Sequence, residues 1–376
     1  MTISTATDRA RVAFLDLAAQ RDEIDEEVER GFARIIRDTA FIGGAEVAAF
    51  EDEFSAYCEV DHCVGVANGT DAIEAVLRGL GIGHGDEVVL PANTFIATAG
   101  AVHRAGARPV LVDCDDDHLL IDPRLIRPAL TDRTRAVIGV DLYGQRAAFD
   151  DIGAAVAGSD VAVVEDAAQA QGARRDGRAI GSDVGAAATS FYPGKNLGAY
   201  GDAGAVITQD ASLAARIRAI ANHGGTAKYE HRVPGMNSRL DALQAVVLRA
   251  KLRRLEGWNE ARRSAADRYD QLLDGNPAVR LTQPARGNVH VWHLYVVRVA
   301  DRDRVLARLQ ESGVEAGIHY PAPIHLTPAY EWLGYRTGDF PVSEAASRSM
   351  ISLPMHPHLT ADDQARVVEL LLEATA

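Results

Sequence analysis

The chain has 376 residues, 47% of them hydrophobic, and a formal net charge of −14. A surface this acidic repels phosphate backbones and argues against a nucleic-acid partner, and no apolar run approaches the roughly 18 residues that cross a bilayer. Its length and its 33 glycines fit an α/β enzyme of two or three domain-sized units, not a repeat or a low-complexity chain.

Residues 1–11 are polar, with no apolar signal core. A helix is predicted over 45–57, where Val47, Phe50, Phe54 and Tyr57 recur at helical spacing. Residues 63–66 read as a strand, after which Asn68-Gly69-Thr70 turns into a helix carrying Ile73, Val76, Leu77 and Leu80 on one face. The strand 87–90 follows, then Pro91-Ala92-Asn93-Thr94 and a helix from about Phe95. Strands are expected at 109–112 and 136–140, a helix at 152–156, and an apolar strand at 161–164 that ends on Glu165-Asp166. Residues 186–191 and 205–208 complete the set. Continuous apolar strands separated by helices predict a mostly parallel sheet buried on both faces. After a polar loop at 223–237, a long helical region at 240–273 crosses into a smaller α+β unit. That unit has strands at 292–299 and 314–320, a helix at 302–311 and a terminal helix at 361–373. The expected division is a large domain with an N-terminal arm, 1–250, and a small C-terminal domain, 251–376.

Cys58, Cys63 and Cys114 are odd in number and fit no zinc spacing, so reduced thiols and a cytoplasmic location are expected, with no metal. The basic pairs Arg253-Arg254 and Arg262-Arg263 read as solvated helix faces.

Ligands of open parallel sheets bind beyond the carboxyl ends of the strands. What lies there is a set of complementary groups. Gly69-Thr70 opens a helix, where free N–H groups and the helix dipole favour an anion; alone, the pair reads first as an ordinary helix N-cap. Asp166 ends a buried strand, and a carboxylate there needs a facing cation. A protonated pyridine nitrogen is one such cation and an arginine another. Gln169, three residues on, is within reach of the same ligand and of a phenolic oxygen on it. Lys195 sits in Tyr192-Pro193-Gly194-Lys195-Asn196, just past an apolar strand. Partial desolvation would lower its pKa and make it nucleophilic toward an aldehyde and a general base once free, although alone a loop lysine reads first as structural or solvated. Phe95 is placed to stack on an aromatic ring, or simply to fill the core. Two other cofactors lose support. Residues 79–86 fail G-x-G-x-x-G because His84 and Asp86 replace the required glycines, and Thr189 stands where a P-loop needs its first glycine.

Four segments carry a resemblance: Glu165-Asp166-Ala167-Ala168-Gln169-Ala170, residues 190–202, Gly235-Met236-Asn237-Ser238-Arg239-Leu240-Asp241, and residues 317–325. Together they resemble the DegT/DnrJ/EryC1/StrS sugar aminotransferases over nearly the whole chain, from Phe14 onward. The resemblance implies a fold-type I pyridoxal 5'-phosphate (PLP) enzyme, a homodimer with active sites at the subunit interface. It implies Lys195 as the Schiff-base lysine, Asp166 as partner of the pyridine nitrogen, Gln169 at the phenolic oxygen and Phe95 as the stacking ring. Gly69, Thr70 and Ser190 would hold the phosphate, with Asn237 reaching it from the other subunit. L-Glutamate would give its amino group to the cofactor, and pyridoxamine phosphate would then aminate a keto sugar carried on a nucleotide. The segment Phe191-Tyr192-Pro193-Gly194-Lys195-Asn196 is similar to that of members aminating C3 of dTDP-3-keto-6-deoxyhexoses. Tyr320 and His325 are candidate sugar contacts, with core roles as the alternative.

One departure stands out: Asp141 replaces a His common in C3-type relatives, which puts the identity of the sugar in doubt. Lys195 argues against a sugar dehydratase, whose lysine is replaced by His. The remaining alternatives are C4 amination and a non-catalytic regulatory protein on the same fold.

Overall fold

A computed structural model describes residues 11–227 and 229–376. Residues 1–10, which begin the expected N-terminal arm, and Lys228 in the 223–237 loop lie outside the described residues.

The large unit is built on a seven-stranded sheet. In chain order the first five strands are β1 (His62–Val66), β2 (Glu87–Pro91), β3 (Arg108–Val112), β4 (Thr134–Val140) and β5 (Ala162–Asp166). Two short strands, β6 (Arg174–Arg175) and β7 (Arg178–Ala179), form a separate ribbon. The main sheet resumes with β8 (Ala186–Ser190) and β9 (Gly204–Thr208). The strand order is β1-β9-β8-β5-β4-β2-β3. Every neighbouring pair is parallel except those made by β9, which runs against both β8 and β1. β2 and β9 are buried at every position, as expected for strands covered by helices on both faces. β1, β2, β4, β5 and β8 therefore point their carboxyl ends at one edge of the sheet, and the chemistry collects there.

Helices α1 (Leu17–Asp22) and α2 (Asp25–Asp38) precede the first strand. α1 is short and polar, whereas α2 carries Val28, Phe32, Ile35 and Ile36 at helical spacing. α3 (Ala45–Tyr57) buries Phe50 and Phe54 edge-on against Phe191, at ring-centroid distances of 5.3 and 5.2 Å. This apolar knot anchors the start of the loop that carries Lys195. After the hairpin β10 (Gly225–Ala227) and β11 (Glu230–His231), the expected single helix over 240–273 is two, Ala242–Leu252 and Leu255–Leu273. The break at Arg253-Arg254 lets the first half pack on α2 and α3 while the second packs on the C-terminal helix Ala361–Thr375.

The remaining strands are β12 (Val279–Leu281), β13 (Asn288–Val289), β14 (Tyr295–Val299) and β15 (Met350–Leu353). β12-β14-β15 form a small antiparallel sheet. β14 starts at Tyr295, three residues later than expected, because Trp292 adopts φ +45°. The strand expected at 314–320 is not formed. The segment makes only isolated bridges, Val12 to Val314 and Gly317 to Ser352, before it crosses the mouth of the cavity described below. Among the described residues no helix is long and apolar enough to cross a membrane.

Candidate active site

A cavity of about 390 Å³ opens at the carboxyl edge of the main sheet. Gly69, Thr70, Phe95, Asp166, Gln169, Ser190, Lys195 and Tyr320 all line it. All but Tyr320 lie at or just past the carboxyl end of β1, β2, β5 or β8, which is why residues far apart in sequence meet here.

The helix Gly69–Gly79 begins at one end of the cavity. Asn68 caps it by accepting the Asp71 N–H at 2.8 Å, which leaves the first-turn amides of Gly69 and Thr70 without an intrahelical acceptor. Position 69 has to be glycine, since a Cβ there would stand 2.6 Å from the Cβ of Ser190. The result is a cradle of backbone N–H groups, the Thr70 hydroxyl and the Ser190 hydroxyl, suited to a phosphate.

At the other end Asp166 is almost fully buried. Its Oδ2 accepts from the Thr98 hydroxyl at 2.8 Å and its Oδ1 from the Ala168 N–H at 3.2 Å. The Thr94 hydroxyl lies 2.9 Å from that of Thr98 and so donates to it. Burial holds the Asp166 carboxyl above the usual range, while Thr98, the Ala168 N–H and the charge of Lys195 pull it back. Among the described residues no arginine, lysine or histidine forms an ion pair with Asp166, so the structural-salt-bridge alternative has no partner.

Lys195 follows β8 in a loop pinned by three backbone bonds of 2.8 Å: Lys195 N to Tyr192 O, Phe191 N to Ala203 O and Ala199 N to Phe191 O. Burial lowers its amine to about pKa 8, opposed by the charge of Asp166. The residue keeps partial exposure only because it faces the cavity.

Gln169 is held from both sides. Its Oε1 accepts the Tyr143 N–H at 2.6 Å, and its Nε2 donates to the Tyr320 hydroxyl at 3.0 Å. Tyr320 lies 5.1 Å from the ring of Phe95, which is half-exposed and forms one wall.

Two expectations, those for His325 and Asp141, are placed differently. His325 is outside the cavity: its Nε2 sits 3.0 Å from a buried Glu344 oxygen, so it is a structural residue here and not a sugar contact. Asp141 is fully buried and turned away from the cavity, its Oδ1 accepting the Ala147 N–H at 2.8 Å. Burial and the neighbouring Glu165 push its carboxyl well above the usual range, with Arg146 opposing. Any influence of Asp141 on the ligand passes through the loop that carries Leu142 and Tyr143. Asn237 is exposed and outside the cavity of its own chain, its Oδ1 accepting from Arg239 at 3.0 Å.

Several lining residues were not singled out from sequence. Thr98 lies one helical turn beyond Phe95, a spacing that could have flagged it. His319 stacks on Phe14 at 5.7 Å and holds Ser352 Oγ at 2.8 Å from its Nδ1. His293 comes from the segment before β14. Gly144 (φ +113°) admits that segment, since a Cβ there would meet the His293 nitrogen at 2.7 Å.

PLP fits these groups: a phosphate cradle, a buried carboxylate lacking a cation, and a lysine of lowered pKa in one cavity. The comparisons agree. The chain matches the DegT/DnrJ/EryC1/StrS aminotransferase family over residues 22–372. It is 44% identical to dTDP-3-amino-3,4,6-trideoxy-alpha-D-glucose transaminase of Streptomyces venezuelae, over 99% of this chain and 98% of that protein. The crystal structure of S. venezuelae DesV in complex with a ketimine intermediate superposes with a TM-score of 0.95 at 45% identity, covering 97% of this chain and 98% of that one. NtdA from Bacillus subtilis, solved with bound cofactor PMP, gives a TM-score of 0.90 at 30% identity, covering 98% and 86%.

Proposed function

The chain belongs to the DegT/DnrJ/EryC1/StrS aminotransferase family, and from that premise we propose that it is a PLP-dependent transaminase that aminates C3 of a dTDP-linked 3-keto deoxyhexose. The observation that carries the reading is the pairing of Asp166 and Lys195 across one cavity, each shifted by burial toward its neutral form. The C3 assignment leans on the relative from S. venezuelae and on the segment around Lys195.

When bound, PLP supplies an aldehyde that takes up the amino group and a ring that stabilises negative charge at the carbon losing its proton. We assign the rest to this chain's residues. The Gly69 and Thr70 amides and the Thr70 and Ser190 hydroxyls bind the phosphate. The Asp166 carboxylate, oriented by Thr98, would face the ring nitrogen and favour its protonated form. Gln169, clamped by Tyr143 and Tyr320, offers its remaining amide hydrogen toward the phenolic oxygen. Phe95, a wall of the cavity, would cover one face of the ring. Lys195 Nζ anchors the cofactor and, once released, takes and returns the proton of the substrate carbon. Tyr320 borders the space left for the sugar.

L-Glutamate as amino donor is part of the proposal, as is a homodimer. Asn237 supports the dimer: exposed and remote from the cavity of its own chain, it fits a residue that serves a second copy. The exposed Phe41 and Ile42 fit a covered face as well. Three buried, unpaired cysteines support a cytoplasmic location.

The test is the visible spectrum of the PLP-loaded protein before and after L-glutamate, then product analysis with a dTDP-3-keto-6-deoxyhexose. The expected result is a band lost with glutamate, restored by the sugar, and absent in Lys195→Ala. A wild-type protein that takes up no PLP overturns the reading. A product aminated at C4 overturns the regiochemistry alone.

A further inference from the structure

Asp141 has no role in the site above, yet its carboxyl is fully buried and half of it is unaccounted for. Oδ1 accepts the Ala147 N–H at 2.8 Å, whereas among the described residues no donor reaches Oδ2. Arg146 is the neighbouring cation, but its donors are spent elsewhere. Nε goes to Glu165 Oε1 at 2.8 Å, Nη1 to the Arg178 carbonyl at 3.1 Å and Nη2 to Asp183 Oδ1 at 2.5 Å. The other oxygen of Asp183 is matched by Arg178 at 3.3 Å. What lies within hydrogen-bonding reach of Asp141 is a second carboxyl, that of Glu165. The strand register brings the two together. Glu165 stands opposite Gly139 in the β4–β5 pairing, and Asp141, two residues on from Gly139, shares its face. Val140 and Asp166, also opposite each other, take the cavity face. Glu165 is the member whose charge is answered, since Oε1 accepts from Arg146 and Oε2 accepts the Gly181 N–H at 2.6 Å. Two buried carboxylates cannot both stay charged in contact when one of them meets no cation. The hydrogen therefore belongs to Asp141, and a protonated carboxyl is a donor.

We propose that Asp141 is a positioning residue that donates a hydrogen bond from Oδ2 to Glu165 and so fastens the end of β4 to the end of β5 directly behind the cavity. The inference rests on Asp166 and Gln169 being the cofactor contacts assigned above, and both hang on the fastened ends. The Asp141 N–H donates to the Asp166 carbonyl at 3.0 Å, and two residues on the Tyr143 N–H holds Gln169 Oε1 at 2.6 Å. Ionisation of Asp141 would set two buried negative charges against each other at that junction. Burial first, then Glu165, keep the proton in place, against Arg146 and the Ala147 N–H. The folded chain thus holds a proton that the unfolded chain, with an ordinary aspartate pKa of about 4, has released. Through this group, rising pH favours unfolding until the folded pKa is passed.

The test is urea unfolding of the full-length protein at fixed concentration, wild type beside Asp141→Asn, from about pH 5 to about pH 7. Asn has the shape of the neutral acid and keeps a donor, but it cannot titrate. The unfolding constant of the wild type, divided by that of the variant, should rise about tenfold per pH unit. A ratio that stays flat means that Asp141 is ionised in the fold, and it overturns the proposal. Should Asp141→Asn not fold, Asp141→Ser, a smaller donor that does not titrate, replaces it in the same series. Failure of both to fold also overturns the proposal. The positioning is read as PLP affinity at about pH 7, which should fall in Asp141→Ala, where no donor remains, and return in Asp141→Asn. Equal losses in the two overturn the positioning role. The unfolding series needs no PLP, so failure of the transaminase reading shows separately, as wild-type protein that takes up no PLP while the ratio keeps its slope.

Discussion

Replacing Thr98 by Val removes one hydroxyl and nearly nothing else. Thr98 is buried, and its hydroxyl donates to Asp166 Oδ2 at 2.8 Å. A hydrogen bond to a charged group contributes about 1.5–3 kcal/mol. At about 1.4 kcal/mol per unit, losing it should raise the Asp166 pKa by about one to two units. The direction follows from the site, where burial already holds this carboxyl up and Thr98 is first among the groups that lower it. A protonated Asp166 cannot hold a cationic ring nitrogen, so PLP affinity should be lost as pH falls through the Asp166 pKa. In Thr98→Val that acid limb should move up by the same one to two units. The assay is the PLP dissociation constant, followed by the visible band from about pH 5 to about pH 8. Thr94→Val is the control. It removes the donor to Thr98 but leaves the bond to Asp166, so thermal stability should fall without a shift of the limb. If folded Thr98→Val keeps the wild-type limb, Asp166 is not the group that carries the pH dependence and the assignment fails.

Other outcomes follow from the same geometry. With its pKa near 8, Lys195 at pH 7 should hold about 300 times the neutral fraction of a lysine at its ordinary value, so the rate of PLP capture should rise with pH and level off above about 8; a rate still climbing through pH 10 contradicts this. Gly69→Ala should raise the PLP dissociation constant by at least about tenfold, since its Cβ would displace Ser190, while leaving the affinity for pyridoxal, which lacks the phosphate, nearly unchanged. Equal losses for both ligands would mean a general disturbance of the cavity. Phe191→Ala, which empties the pocket between Phe50 and Phe54, should cost about 3–5 kcal/mol in urea unfolding. A loss under about 1 kcal/mol would show that the aromatic knot does not anchor the lysine loop.

Much of this was legible in the sequence because the chemistry sits at strand ends. An apolar run such as Val161 to Val164 announces a buried strand, and whatever polar residue follows has to be at the sheet edge. That logic found Gly69, Asp166 and Lys195 without any contact information. It could not find His293 or Phe14, which reach the cavity from chain segments that are not strands of the main sheet. His325 was nominated by the resemblance and not by this logic, and nothing local says that Glu344 lies 3.0 Å from its Nε2. The absent strand at 314–320 is a related failure. Its composition suits a strand, but the backbone pairs only at isolated points as it passes over the cavity. α2 was legible but not read: Val28, Phe32, Ile35 and Ile36 recur at helical spacing.

Burial acts with opposite sign on the two central groups. It raises Asp166 and lowers Lys195, so both are driven toward neutrality, and each is held back by the charge of the other. A salt bridge in this cavity would have made each group the other's permanent partner and left neither free to act. The structure instead gives Asp166 neutral donors, Thr98 and the Ala168 N–H, which orient the carboxylate without consuming its charge. Lys195 in turn has no carboxylate ion pair among the described residues. The cavity therefore keeps one anion poised for a cationic ring and one amine close to neutrality at physiological pH, a combination that a fully paired core cannot provide.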